Sequence, residues 1–212
     1  MLTNKELYYA SNIAYYIFNP NITTLFDQNG TFALSTAFSD YASNMRDAID
    51  NHIKENNDKI AKLEVKSTDP MKPEERIILE FKIQSLKDRN EAYNTTLNYY
   101  EDIANGNNDI SNWRILRIDD ANKDNGCYAI TLLPHDSDTA IIAFRGSESA
   151  DFSDAMHDWA IADFGLFAGE LTAQQNTANS IVEEILKDEN LKDYNFVLTG
   201  HSLGGNLAMH AA

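Results

Sequence analysis

The sequence predicts an α/β fold: a mainly parallel sheet covered by helices, with an inserted antiparallel helical hairpin. Three observations predict it. The second half of the chain alternates strand-like and helix-like segments, residues 43–104 carry apolar stripes of period near 3.5, and the last residues read VLTGHSLGGNLAMHAA, an apolar strand running through a tight turn into a helix. At 212 residues and 43% hydrophobic, the chain can bury one core and carry an appendage. The expected division is residues 1–42 as a helix and connection on the core, 43–104 as the hairpin, and 105–212 as the core itself.

Thr3 and Glu6 open the chain in capping-box spacing, and Leu7, Ala10, Ala14, Ile17 and Phe18 follow at helical intervals. Residues 19–40 read as turn-rich, with Asn29-Gly30 as a turn. In the hairpin, Ile49, Ile53, Asn56, Ile60 and Leu63 step by four and three. Leu79, Ile83, Leu86, Asn90, Tyr93, Leu97 and Tyr100 do the same after a link containing Pro70 and Pro73. Such stripes describe a coiled-coil seam, and one Asn in each is a device that fixes register. The hairpin reads either as self-packing structure or as a cap or docking arm.

From Trp113 the period changes. WRILRI, CYAITLL, TAIIAF and YNFVLTG read as strands, Asn125-Gly126 as a turn, and ELTAQQNTANSIVEEILKDEN as a helix with Ala178, Ile181, Ile185 and Leu186 facing inward.

Gly200-His201-Ser202-Leu203-Gly204 fits G-x-S-x-G between a strand and a helix. A serine there sits on a turn so tight that its hydroxyl projects from the sheet, and side chains at 200 and 204 would collide. The following helix points its N-terminal amides at Ser202, with the Leu203 amide as one oxyanion donor.

GHSLGG, IIAFRGSES upstream of it and DWAIADF between them together resemble the lipase class 3 family, of the filamentous-fungal triacylglycerol lipase type, over about residues 113–212. The resemblance implies a partial α/β-hydrolase fold, with the chain ending just after the nucleophile elbow. It implies Ser202 as nucleophile, Ser147 with Leu203 as oxyanion hole, Gly200 and Gly204 as elbow glycines, and a lid over Glu148–Asp163 containing Asp158 and Trp159. Trp159 reads equally as core, and Arg145 as a structural ion-pair partner. The lid carries Glu148, Asp151, Asp154, Asp158 and Asp163 with no basic residue, a poor match to an anionic bilayer.

The expected activity is serine ester hydrolysis by a lipase or phospholipase, through an acyl-enzyme on Ser202. A serine hydroxyl needs a base, and in this fold class acid and histidine follow the serine. His210 lies two helical turns on, roughly 12 Å away, and His201 points apart on the turn. The acid and histidine are therefore expected beyond Ala212, in the remainder of a longer protein or in a partner that completes the sheet, and the 212 residues alone are expected to be inactive. Two alternatives stand beside this: an inactive hydrolase scaffold that binds protein through the hairpin, and an exported bacterial lipase effector.

The composition excludes other classes. The formal charge of −16 repels nucleic acid and disfavours electrostatic docking on anionic lipid. No metal or cofactor is expected: Asp120, Asn122 and Asp124 imitate a calcium loop, but its glycine falls one place late and Thr131 stands where the closing Glu belongs. The single cysteine, Cys127, rules out an internal disulfide. No apolar run is long enough for a membrane span. The N-terminus lacks a Sec-type signal, leaving the cytoplasm or a leaderless export route.

Overall fold

The computed structural model describes residues 2–16, 31–67, 70–121, 126–146 and 168–212, with the side chains of 168–172 outside the description. The chain divides into two units, residues 1–37 with 109–212, and residues 38–108.

The first unit is built on a five-stranded sheet in sequence order. Its strands are β1 (Phe32–Ala33), β2 (Arg114–Ala121), β3 (Cys127–Leu133), β4 (Thr139–Phe144) and β5 (Asn195–Gly200). The pairings β1–β2, β2–β3 and β3–β4 are antiparallel, and only β4–β5 is parallel. The expected mainly parallel, α/β-hydrolase-like sheet is therefore incorrect; most described residues are helical and the small sheet is mostly antiparallel. The reason is connection length. Only a few residues separate β2 from β3 and β3 from β4, too few for the crossover a parallel pair needs. Helix α4 (Ala168–Lys187) stands between β4 and β5 and permits the one parallel pair.

One face of the sheet packs Leu116, Cys127, Ala129, Ala140, Ile142 and Phe144 against α4 and the last helix, α5 (Leu203–Ala211). Ala178, Ile181 and Ile185 of α4 and Leu207 and Ala208 of α5 complete that cluster. Leu186, expected on the inner side, is 62% exposed. A bulge between Ile115 and Arg117 lets Leu116 join this face. Arg117 fixes β2 to α4: its Nε donates to both carboxylate oxygens of Asp119 at 2.8 and 2.9 Å, and its Nη2 reaches Glu184 Oε2 at 2.7 Å.

Ile141 and Ala143, fully buried on β4, alternate to the opposite face. Helix α1 (Asn4–Ile13) packs on β4 and β5 through a side that buries Ala10 and Ile13. Its capping box closes with Thr3 N–H donating to Glu6 Oε2 at 2.6 Å and Glu6 N–H donating to Thr3 Oγ1 at 3.3 Å.

The second unit is a helical hairpin. Helix α2 (Leu34–Lys66) starts within the first unit, so residues 34–40 are helical where a turn-rich connection was expected; Leu34 and Ala37 are buried at helical spacing. Helix α3 (Pro73–Ala104) begins with Pro73 and an acidic first turn, Glu74 and Glu75. The helices run antiparallel. Asn56 Nδ2 donates to Asn90 Oδ1 at 2.9 Å, His52 stacks on Tyr93 with centroids 5.7 Å apart, and Arg46 pairs with Glu101. Ile49, Asn56, Ile60, Leu79, Leu97 and Tyr100 are buried along the seam.

Candidate active site

The turn from β5 into α5 has a specific local cause. Gly200 ends the strand opposite Phe144, and α5 begins three residues later. A Cβ added to Gly200 would strike the backbone carbonyl of Gly204, and one added to Gly204 would strike the Phe144 carbonyl oxygen. A Cβ on Gly205 would stand 3.0 Å from the Gly200 oxygen. Strand, turn and neighbouring strand end thus approach more closely than any side chain allows.

Ser202 absorbs the geometric cost. Its φ of 56° and ψ of −125° place a non-glycine residue in the positive-φ region, a strain of about 1–3 kcal/mol. Its side chain is exposed, and among the described residues its hydroxyl has no hydrogen-bond partner. Behind it, Gly204 N–H donates to His201 O and Gly205 N–H to Ser202 O, each at 3.0 Å. The Leu203 amide opens α5, where a helix offers no internal acceptor. An exposed hydroxyl beside an uncommitted helix-N-terminal amide is placed where an oxyanion formed on it would meet a donor, and a base is still required to take the hydroxyl proton.

A contact that the sequence did not signal supports the turn from the residues just after α1. The Tyr15 hydroxyl lies 3.3 Å from both His201 O and His201 Nδ1, and the two rings meet edge-on at 6.0 Å. Burial pushes the Tyr15 hydroxyl above the ordinary phenol range, partly offset by the Gly146 amide and the charge of Arg145, so it stays protonated and able to donate. A Cβ on Gly146 would sit 2.5 Å from that hydroxyl and 2.7 Å from His201 O. Arg145 and Gly146, which follow β4, therefore lie against the elbow. Arg145 is buried with its guanidinium 4.9 Å over the Tyr128 ring. Tyr15 is one of several tyrosines near the N-terminus, and nothing in the local sequence distinguishes it.

Ser147, Asp158 and Trp159, with the rest of the expected lid, lie outside the described residues, as do Asn122 and Asp124 of the imitation calcium loop. His210 sits in the last turn of α5. Among the described residues no three His, Cys, Asp or Glu side chains stand together to hold a metal ion. Cys127 is no rival nucleophile, since burial, aided by Asp119, pushes its thiol up to about 11.

Fold and turn together define a class: a small mixed sheet that carries a strained, exposed serine between its parallel edge strand and a helix. Within it, the chain belongs to the Mbeg1-like family, which matches residues 107–212. No curated protein and no solved structure matches the chain. The resemblance to the lipase class 3 family is thereby corrected, and its lipase and α/β-hydrolase labels fall with it. The physical reason is that GHSLGG, IIAFRGSES and DWAIADF are short, local devices. A glycine-flanked serine turn can be set on more than one scaffold, so it does not fix the family.

Proposed function

We propose that this protein hydrolyses a carboxylic ester through an acyl-enzyme on Ser202. The observation that carries this reading is the Ser202 backbone at φ 56°, held between glycines with the side chain exposed. Strain of this kind persists where surrounding structure enforces it, and it clusters at sites of chemistry.

Ser202 Oγ attacks the carbonyl carbon, and the tetrahedral oxyanion takes the Leu203 N–H, with Ser147 as the expected second donor. Collapse expels the alcohol and leaves an acyl-serine. Water then adds to that ester, and the acid departs as Ser202 recovers its proton. The base and its orienting acid come from outside the described residues. Strand β5 offers them a place: it is the sheet's edge among those residues, and Phe196 and Leu198 are only half-buried. A further strand pairing there, from this protein or from a partner, would bring a base beside the serine.

The test is a fluorophosphonate probe on the complete protein. Labelling is expected, and Ser202→Ala is expected to abolish labelling and ester hydrolysis together. Hydrolysis that survives in Ser202→Ala would remove Ser202 from the reaction.

A further inference from the structure

The outer half of the hairpin, towards the link between its helices, differs in charge from the rest of the chain. Residues 59–89 hold eight basic and six acidic residues, whereas the rest of the chain holds nine and twenty-seven. The inner half of the hairpin, residues 38–58 and 90–108, holds two basic and eight acidic. The net charge of −16 therefore conceals a cationic end.

That end contains a groove between α2 and α3. Lys59, Lys62 and Lys66 line one wall, and Lys82 and Arg89 the other. Its apolar lining comes from the half-buried Leu63 and Leu86 and from the exposed Phe81. No described carboxylate lines it: Glu64 pairs with Lys87, Asp88 accepts from Gln84, and Glu75 accepts from the Lys72 amide. The four lysines make no ion pair with another described residue. Towards the link the same end exposes large apolar side chains: Phe81 is 75% exposed, Val65 71%, Ile77 66% and Ile78 56%. Ile77 and Ile78 precede Phe81 and Lys82 by four residues, so they extend the groove's α3 face by one turn.

From this we infer that the outer half of the hairpin docks on a membrane surface containing anionic phospholipid. Charge complementarity supplies the attraction, each cation near such a surface strengthening binding roughly five-fold. The composition selects lipid over an acidic protein. Lysine is depleted in protein–protein interfaces, where arginine and large aromatics dominate, and four of the five groove cations are lysine. Lysine stems lie along apolar surface while their ammonium groups stay at headgroup level, and Phe81 with the two isoleucines enters the acyl boundary. The net-charge argument against lipid fails because charges beyond about 8 Å are screened at physiological salt. Within the helical unit, Lys59 stands about 30 Å along α2 from Phe38.

This inference does not depend on the chemistry of Ser202, and its test reads binding alone. The full chain, as Ser202→Ala to prevent turnover, is sedimented with vesicles of phosphatidylcholine and with phosphatidylcholine–phosphatidylglycerol mixtures. Binding is expected to the mixture only, and to weaken with salt. Replacing Lys59, Lys62, Lys66 and Lys82 together by Gln is expected to weaken it at least ~100-fold with unchanged circular dichroism. Phe81→Ser is expected to weaken it while keeping the salt dependence. Equal binding to both vesicle types, no binding by folded protein, or a Lys→Gln protein that binds like the parent would each overturn the inference. Lysine-dependent dimerisation without vesicle binding would overturn it too and assign the groove to a second copy. The same lysine substitutions made in the protein that keeps Ser202 are expected to leave fluorophosphonate labelling intact, so the two readings fail separately.

Discussion

At Ser202 the backbone is held where glycine would be more at ease, and that gives the residue a measurable signature. Ser202→Gly is expected to stabilise the protein by about 1 kcal/mol relative to Ser202→Ala, because glycine relieves positive-φ strain that alanine retains. Thermal unfolding of the two variants side by side measures it, and neither is expected to react with a fluorophosphonate. Equal stability would mean that the turn relaxes in solution. The motif G-x-S-x-G locates a serine between strand and helix, but the strain itself comes from the approach of Gly200, Gly204 and the Phe144 carbonyl. Tyr15 and Gly146 meet His201 from segments 186 and 55 residues away, through backbone and hydroxyl atoms that leave no mark in a linear pattern.

Among the elements, the hairpin was the most legible, because a coiled-coil seam is written in single residues at fixed spacing. Its two stripe asparagines meet: Asn56 donates to Asn90, and Asn90 donates in turn to Asn57 Oδ1 at 2.9 Å. Asn90→Leu alone leaves the buried Asn56 amide without its acceptor, at an expected cost of about 1–3 kcal/mol. Adding Asn56→Leu is expected to recover that loss. Urea unfolding of the two singles and the double closes the cycle, and additive effects would show that the pair is uncoupled. The sheet was less legible. Strands β2 to β5 are readable as apolar sequence, whereas β1 falls in a stretch that reads as turn-rich; strand sense depends on how much chain connects neighbours, and only β4 and β5 are joined through a helix.

For the whole molecule the governing quantity is charge. With 33 acidic and 17 basic residues, self-repulsion opposes the compact state and salt relieves it. The midpoint of thermal unfolding is expected to rise as sodium chloride increases from roughly 10 to 200 mM. Over the same range binding to anionic vesicles is expected to fall. A midpoint that drops with salt would show that attractive pairs such as Arg117 with Asp119 and Glu184 outweigh the repulsion.

Periodicity, capping residues and glycine spacing are local properties of the chain. The sequence alone therefore determined the hairpin seam, the cap of α1 and a serine turn between strand and helix. Strand direction, the Tyr15 contact and the lysine-lined groove were decided only by the tertiary structure. Each depends on segments distant in sequence coming within a few ångströms, and a pattern read along one chain does not encode which segments will meet.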